Sequence, residues 1–238
     1  MLQTAENLAE QYGISRAACD EFACRSHKLA AAAWAERLFD EQIVPISIPV
    51  RKGNPVIFKA DEHPRPQTTM EALGNLSPAF KEDGSVTAGN SSGLNDAAAA
   101  LVIMSGSKAS ELNLEPLAII REQAIAGVDP NLMGIGPVPA VKKVLQKAGL
   151  TLDDMDLVEI NEAFAAQVIA CERELELNPD KVNVNGGAIA HGHPLGATGA
   201  ILLTKAVYEL RRIKAKYALV TACIGGGQGI AVIIERPS

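Results

Sequence analysis

The sequence predicts a layered α/β fold, and two observations carry that prediction. From residue 116 onward strand-like and helix-like segments alternate regularly, the pattern of helices packed on a sheet. The last two apolar β runs, YALVTACI and GIAVIIE, flank a glycine cluster, as the arms of an antiparallel hairpin do. Composition agrees with a packed globular chain: of 238 residues, 47% are hydrophobic and 21% charged, which excludes disorder.

Taken in order, Thr4 and Ser15 stand where helix N-caps are expected, and an alanine-rich helix runs from Ser15 through Phe22, Leu29, Ala33 and Trp34 to Leu38. Two short β-branched stretches follow, IVPISIPV and PVIFKA, separated by the turn formers Lys52-Gly53-Asn54-Pro55. Prolines and glycines then recur up to Gly93, so residues 1–93 read as a loop-rich layer without an independent core. Between Leu94 and Leu114, LNDAAAALVIMS leads into an apolar run that predicts a buried strand. The alternating part reads strand PLAIIREQAIAG, helix VPAVKKVLQKAGL, strand MDLVEI and helix EAFAAQVIACERELEL. Strand VNVNG, helix TGAILLTKAVYELRRI and the closing hairpin complete it.

A net charge of -6 gives no broad cationic surface for nucleic acid or anionic lipid, although a local basic site for a phosphate stays possible. No apolar run reaches the ~20 residues that span a bilayer. The first residues lack the basic head and apolar centre of a secretory leader. The four cysteines, Cys19, Cys24, Cys171 and Cys223, form no CxxC pair, which points to reduced thiols in a cytoplasmic protein.

Three segments at predicted strand ends carry residues suited to chemistry, the place where open α/β sheets bind ligands. The first is Asn161-Glu162-Ala163-Phe164-Ala165, where Asn161 suits either a helix N-cap or the orientation of a water or carbonyl. The second runs from Asn185 to Gly199 with five glycines from Gly186 on, and holds His191 and His193. A histidine fixed before Pro194 suits acid–base work near neutrality, and no carboxylate or cysteine is spaced to complete a metal site. The third is Cys223-Ile224-Gly225-Gly226-Gly227-Gln228-Gly229. Its thiol is either a buried strand cysteine before a flexible turn, or a thiol with room beside it for a substrate and for bared backbone N–H groups.

The order NEAFA, NVNGGAIAHGHPLGATGA, CIGGGQG resembles the signature set of the thiolase family. TAENLAEQYGISR, DGSVTAGNSSGLNDAAAALVIMS and PVPAVKKVL are similar to thiolase sequence as well, so the resemblance covers the whole chain. It implies cleavage or synthesis of 3-ketoacyl thioesters with coenzyme A or acetyl-CoA as substrate and no tightly bound cofactor. It places His193 as activator of a nucleophilic cysteine, Asn161 as holder of a water in the first oxyanion site, and Cys223 as the acid–base at the α-carbon. Gly225 matches the N–H donor of a second oxyanion hole. Ser92, Ala163 and Phe164 match residues of the pantetheine channel, and Arg65 falls where the family places a basic residue near the CoA nucleotide. A polar pocket is expected to lower the Cys223 thiol.

The resemblance also implies an absence. The family's nucleophilic cysteine precedes the stretch that matches Met1, and Cys19, Cys24 and Cys171 all fall in predicted helices. The expectation is a loop-domain remnant over 1–93, a segment of 94–114 returning to an N-terminal core domain most of which is missing, and a complete C-terminal domain over 115–238. Partners are then acyl-CoA substrates and either a separately supplied N-terminal thiolase half or further copies of the chain, with association through an apolar face. A non-catalytic CoA-binding or assembly fragment is the alternative. A ketoacyl-synthase relative fits less well, because Cys223 stands where synthases generally use histidine.

Overall fold

The computed structural model describes residues 1–237; Ser238, the last residue of the expected C-terminal domain, lies outside them. Helix α1 (Leu2–Gln11) is followed by α2 (Arg16–Ala35), whose first turn is capped by the Ser15 hydroxyl accepting from Ala18 N. Thr4 is a correction: it lies inside α1, which starts at Leu2, and its hydroxyl donates to Met1 O. The two β-branched stretches form β1 (Ile46–Ile48) and β2 (Val56–Phe58), which pair antiparallel across the turn at Lys52–Pro55. Two short helices follow, α3 (Met70–Gly74) and α4 (Gly106–Glu111).

The main sheet has the order β3-β6-β5-β4, built from β3 (Ile119–Gly127), β4 (Leu157–Ile160), β5 (Tyr217–Ile224) and β6 (Gln228–Glu235). β4 runs parallel to β5, whereas β5–β6 and β6–β3 are antiparallel. Between the strands lie α5 (Pro137–Ala148), α6 (Ala165–Leu175), the single turn α7 (Ala188–His191) and α8 (Thr198–Ile213). α5 starts on Pro137, where a missing N–H costs nothing, and stops at Gly149 in the left-handed conformation (φ 66°).

Side-chain alternation along the strands sorts the core into two layers. Leu157, Ala218, Val220 and Ile234 meet Leu202, Ala206 and Leu210 of α8 on one face. Val158, Ile160, Leu219, Ala231 and Ile233 meet α5 and α6 on the other. That second core also takes in Leu8 and Ala9 of α1 and Cys19, Phe22, Ala23 and Cys24 of α2. The first 93 residues are therefore not merely a loop layer, because their two helices close the larger core. Cys19, Cys24 and Cys171 are buried helix residues as expected.

Two predicted strands are corrected. Residues 95–105 are irregular, with Val102 88% exposed and Ile103 68% exposed, and no strand pairs with them among the described residues. VNVNG is not a strand either: Val182 makes one isolated parallel bridge to Val158. Its continuation is blocked by Asn183, whose side chain takes both backbone groups of Ile160, at 2.9 Å to the N–H and 2.9 Å to the carbonyl. Apolar side chains stay uncovered on β1, β2 and β3, including Ile46, Val56, Ile57, Ile119, Ile120 and Ile125. Among the described residues no helix is long and apolar enough to cross a membrane.

Candidate active site

The C-terminal ends of β4 and β5 define the site. The Asn161 N–H donates to Thr221 O at 3.0 Å, extending the parallel ladder by one residue and bringing Asn161 beside the start of the Cys223 turn. Residues 90–95 then stitch the motifs together. Ser92 N donates to Ala163 O at 3.1 Å, Ala165 N to Asn90 O at 2.9 Å, and His193 N to Gly93 O at 2.9 Å. The Ser92 hydroxyl also donates to Ala163 O, at 3.2 Å. Asn90 is held by Asp20 of α2, accepting from its Nδ2 at 2.9 Å.

A buried carboxylate clamps the glycine-rich loop to the sheet. Glu162, fully buried, accepts from Ser26 Oγ at 2.7 Å, Asn183 Nδ2 at 2.9 Å and the Ile189 N–H at 3.1 Å. Gly187 leaves the space for it, since a Cβ there would lie 2.1 Å from the carboxyl carbon. Gly192, at φ 94°, likewise makes room for the Asn95 side chain, which accepts from His193 N at 3.3 Å. Behind the loop Lys205 pairs with Glu159 at 2.9 Å and donates to Gly186 O at 2.6 Å. Burial pushes the Glu159 carboxyl up while Lys205 pulls it down.

His193 Nε2 lies 3.5 Å from Asn161 Nδ2, and Nδ1 lies 2.7 Å from Thr198 Oγ1. Desolvation lowers the His193 pKa, so the ring is neutral at pH 7 and able to take a proton. Cys223, the penultimate residue of β5, is half-buried beside Ala5, Val86, Ala163 and Phe164. Its surroundings correct the expected polar pocket: desolvation pushes the thiol up to about 12. Alkylation of Cys223 by iodoacetamide should therefore be slow at pH 8 and accelerate as pH rises towards 12; a rate equal to that of a free thiol at pH 8 would contradict it.

The structure thus brings Asn161, His193, Ser92, Ala163, Phe164 and Cys223 to one end of the sheet. Ala163 and Phe164 are buried in a small cluster. Gly225 sits on the exposed β5–β6 turn, with open space where a side chain would point. Arg65 stands apart on the outer surface, where its N–H donates to His27 Nδ1 at 3.3 Å. Sequence reasoning missed Glu162, Thr198, Asn95 and His63, whose Nδ1 lies 2.9 Å from Ala190 O. Among the described residues no group of three or more His, Cys, Asp or Glu side chains is placed to hold a metal ion.

Two other histidines tie the loop to acid stability. Desolvation, aided by Lys205 and the neighbouring His27 and His63, lowers His191 to about 3, and desolvation, aided by His63 and Arg65, lowers His27 to about 4. Both folded values lie below the ordinary 6.5, so the unfolded chain binds more protons between pH 6.5 and about 4. The stability these neutral rings provide is complete above 6.5 and is lost as pH falls. Between pH 7 and pH 5 these two rings should cost roughly 2–4 kcal/mol, partly offset by Glu172, whose carboxyl burial raises to about 7 so that it regains stability as pH falls. In urea unfolding at each pH the double variant His27→Gln, His191→Gln should lose less stability on acidification than wild type; an equal loss would refute it.

A layered α/β chain with an amide, an imidazole and a thiol at its strand ends belongs to the class of folds that hold reactive groups at the carboxyl edge of a sheet. The comparisons define it further. The model of the thiolase C-terminal domain matches residues 114–236 and that of the thiolase N-terminal domain matches residues 1–107, so the chain belongs to the thiolase family. The second match corrects the expected division: residues 1–107 are N-terminal-domain sequence, and that domain is not simply absent. Acetyl-CoA acetyltransferase of Cupriavidus necator is 54% identical over 233 residues, 98% of this chain and 59% of that protein. Beta-ketoadipyl-CoA thiolase of Acinetobacter baylyi is 54% identical over 238 residues, 99% of this chain and 59% of that protein. The crystal structure of the Bacillus anthracis acetyl-CoA acetyltransferase superposes with a TM-score of 0.97 at 53% identity, covering 100% of this chain and 60% of that one. Human mitochondrial 3-ketoacyl-CoA thiolase in complex with CoA gives 0.91 at 50% identity, covering 99% and 58%. The chain thus spans about three-fifths of the length of these relatives.

Proposed function

We propose that these residues form the acid–base part of a thiolase active site, acting on acyl-CoA thioesters together with a nucleophilic cysteine from sequence outside these 238 residues. One observation carries the reading: a neutral His193, the Asn161 amide and a protonated Cys223 stand at the same sheet end, on a framework held by Glu162. In cleavage of a 3-ketoacyl-CoA, His193 takes the proton of the attacking thiol. The resulting imidazolium and the Asn161 amide then face the oxygen on which negative charge develops. Breaking the carbon–carbon bond leaves an acyl-cysteine and the enolate of acetyl-CoA. Cys223, protonated at neutral pH, delivers its proton to the enolate carbon. In the condensing direction the same sulfur, once deprotonated, removes that proton, and its high affinity for protons makes it a strong base.

In this reading Gly225 contributes an N–H to the enolate oxygen, and Ser92, Ala163 and Phe164 border the pantetheine arm, with Arg65 towards the nucleotide. Residues 115–238 then form the C-terminal domain, and 1–93, the loop layer with its two helices, together with the connecting stretch 94–114 are the part of the N-terminal domain that this chain carries. Coenzyme A enters as substrate, and the four free thiols fit a cytoplasmic setting.

The test is thiolysis of acetoacetyl-CoA by the folded chain, alone and after mixing with the N-terminal half of a related acetyltransferase. Inactivity alone with CoA-dependent cleavage in the mixture is expected. Turnover by the chain alone would overturn the division of roles, since one of its own cysteines would then be the nucleophile. A folded, inactive mixture that binds CoA in calorimetry would favour the non-catalytic fragment instead.

A further inference from the structure

We propose that Thr198 is a positioning residue that fixes the tautomer of the His193 ring, keeping the proton on Nδ1 and the Nε2 lone pair directed at Asn161. Only the role of His193 as base rests on the thiolase reading; the ring state is a property of the folded chain.

Two sides of the ring lead to the same tautomer. On one side Thr198 Oγ1 lies 2.7 Å from His193 Nδ1 and 3.0 Å from Pro194 O, one turn back. A hydroxyl has one hydrogen. Donated back to the carbonyl four residues earlier, as threonines at helix starts commonly do, it leaves a lone pair facing the imidazole. Nδ1 then has to supply the hydrogen for the shorter contact.

On the other side Nε2 faces the Asn161 amide at 3.5 Å. Asn161 and Lys205 line a common cavity of about 30 Å³, with room for one water molecule. Asn161 Oδ1 is buried and has no hydrogen-bond partner in the protein. Lys205 spends two of its three N–H groups on Glu159 and Gly186, and the third is free for this cavity. A cation lining the same cavity favours the amide orientation that keeps Oδ1 away from the imidazole, the one in which the Asn161 NH2 is the group 3.5 Å from His193 Nε2. Only an unprotonated Nε2 can receive it. The bond made by one ring nitrogen sets the state of the other, so a single hydroxyl five residues along the chain decides whether His193 can act as a base at Nε2.

The experiment is a long-range ¹H–¹⁵N correlation on the ¹⁵N-labelled chain at neutral pH, with the His193 signals identified by their loss in His193→Gln. The wild-type ring is expected to carry its proton on Nδ1, Thr198→Ser to keep that pattern, and Thr198→Val to move population to the Nε2–H form. A wild-type ring protonated on Nε2, or a Thr198→Val ring identical to wild type, would overturn the proposal. Should Thr198→Val not fold, the wild-type ring state still decides. In an assembly competent for thiolysis, Thr198→Val should lower kcat about tenfold with KM unchanged, and Thr198→Ser should restore it. If no assembly turns over, the ring measurement stands independently, so failure of the thiolase reading is distinguishable from failure of this one.

Discussion

Replacing Cys223 by alanine is expected to lower acetoacetyl-CoA thiolysis by ~10²–10⁴-fold in an assembly supplied with the N-terminal half, the usual range for removing a positioned acid–base. The argument follows the proton. A thiol held at about 12 is fully protonated at pH 7, the form needed to protonate the departing enolate. Exchange of labelled CoA into acetyl-CoA needs only acyl transfer to and from the nucleophile, with no proton moving at carbon. That exchange should therefore survive Cys223→Ala, whereas His193→Gln should suppress both reactions, because His193 activates the attacking thiol. Equal loss of exchange and cleavage in Cys223→Ala would remove Cys223 from the carbon acid–base role.

Glu162→Ala should destabilise the chain by roughly 3–5 kcal/mol, read from the urea midpoint of the chain itself. The carboxylate is fully buried and receives donors from three places distant in sequence: Ser26 of α2, Asn183 after β4, and the backbone of Ile189 in α7. Truncation leaves those donors in a dry site with nothing to accept them, and opens a void beside Gly187. A loss under ~1 kcal/mol would mean that water or a neighbour replaces the clamp, and that the glycine-rich loop is held by other contacts.

The parts of this molecule written in local chemistry were legible in its sequence. Ser15 caps α2, the GAILLTKAVYELRRI periodicity matches α8, and the glycines between two apolar runs give the β5–β6 hairpin. Asn161, His193 and Cys223 were legible for a related reason, since each stands in a short, unusual motif. The failures share a cause. VNVNG has strand residues, yet whether it pairs depends on Asn183 taking the backbone of Ile160 from 23 residues away. LVIMS has the composition of a buried strand, and composition does not reveal whether a neighbour exists. Glu162 was in plain view next to Asn161, and a charged residue following an apolar strand was the available signal. Its three donors are brought to it only by the tertiary fold. Thr198 carried a weaker sign, a hydroxyl five residues after a motif histidine.

The sheet order β3-β6-β5-β4 has a consequence for biosynthesis. β3 and β4 emerge from the ribosome before the strands that join them, β5 and β6, and never touch each other. Until β5 is made the nascent polypeptide holds two isolated strands, and β3 lacks its mate until β6 is complete at residue 235. The native sheet therefore cannot close before that hairpin is made, and any ribosome release ahead of it yields a product without the centre of the sheet.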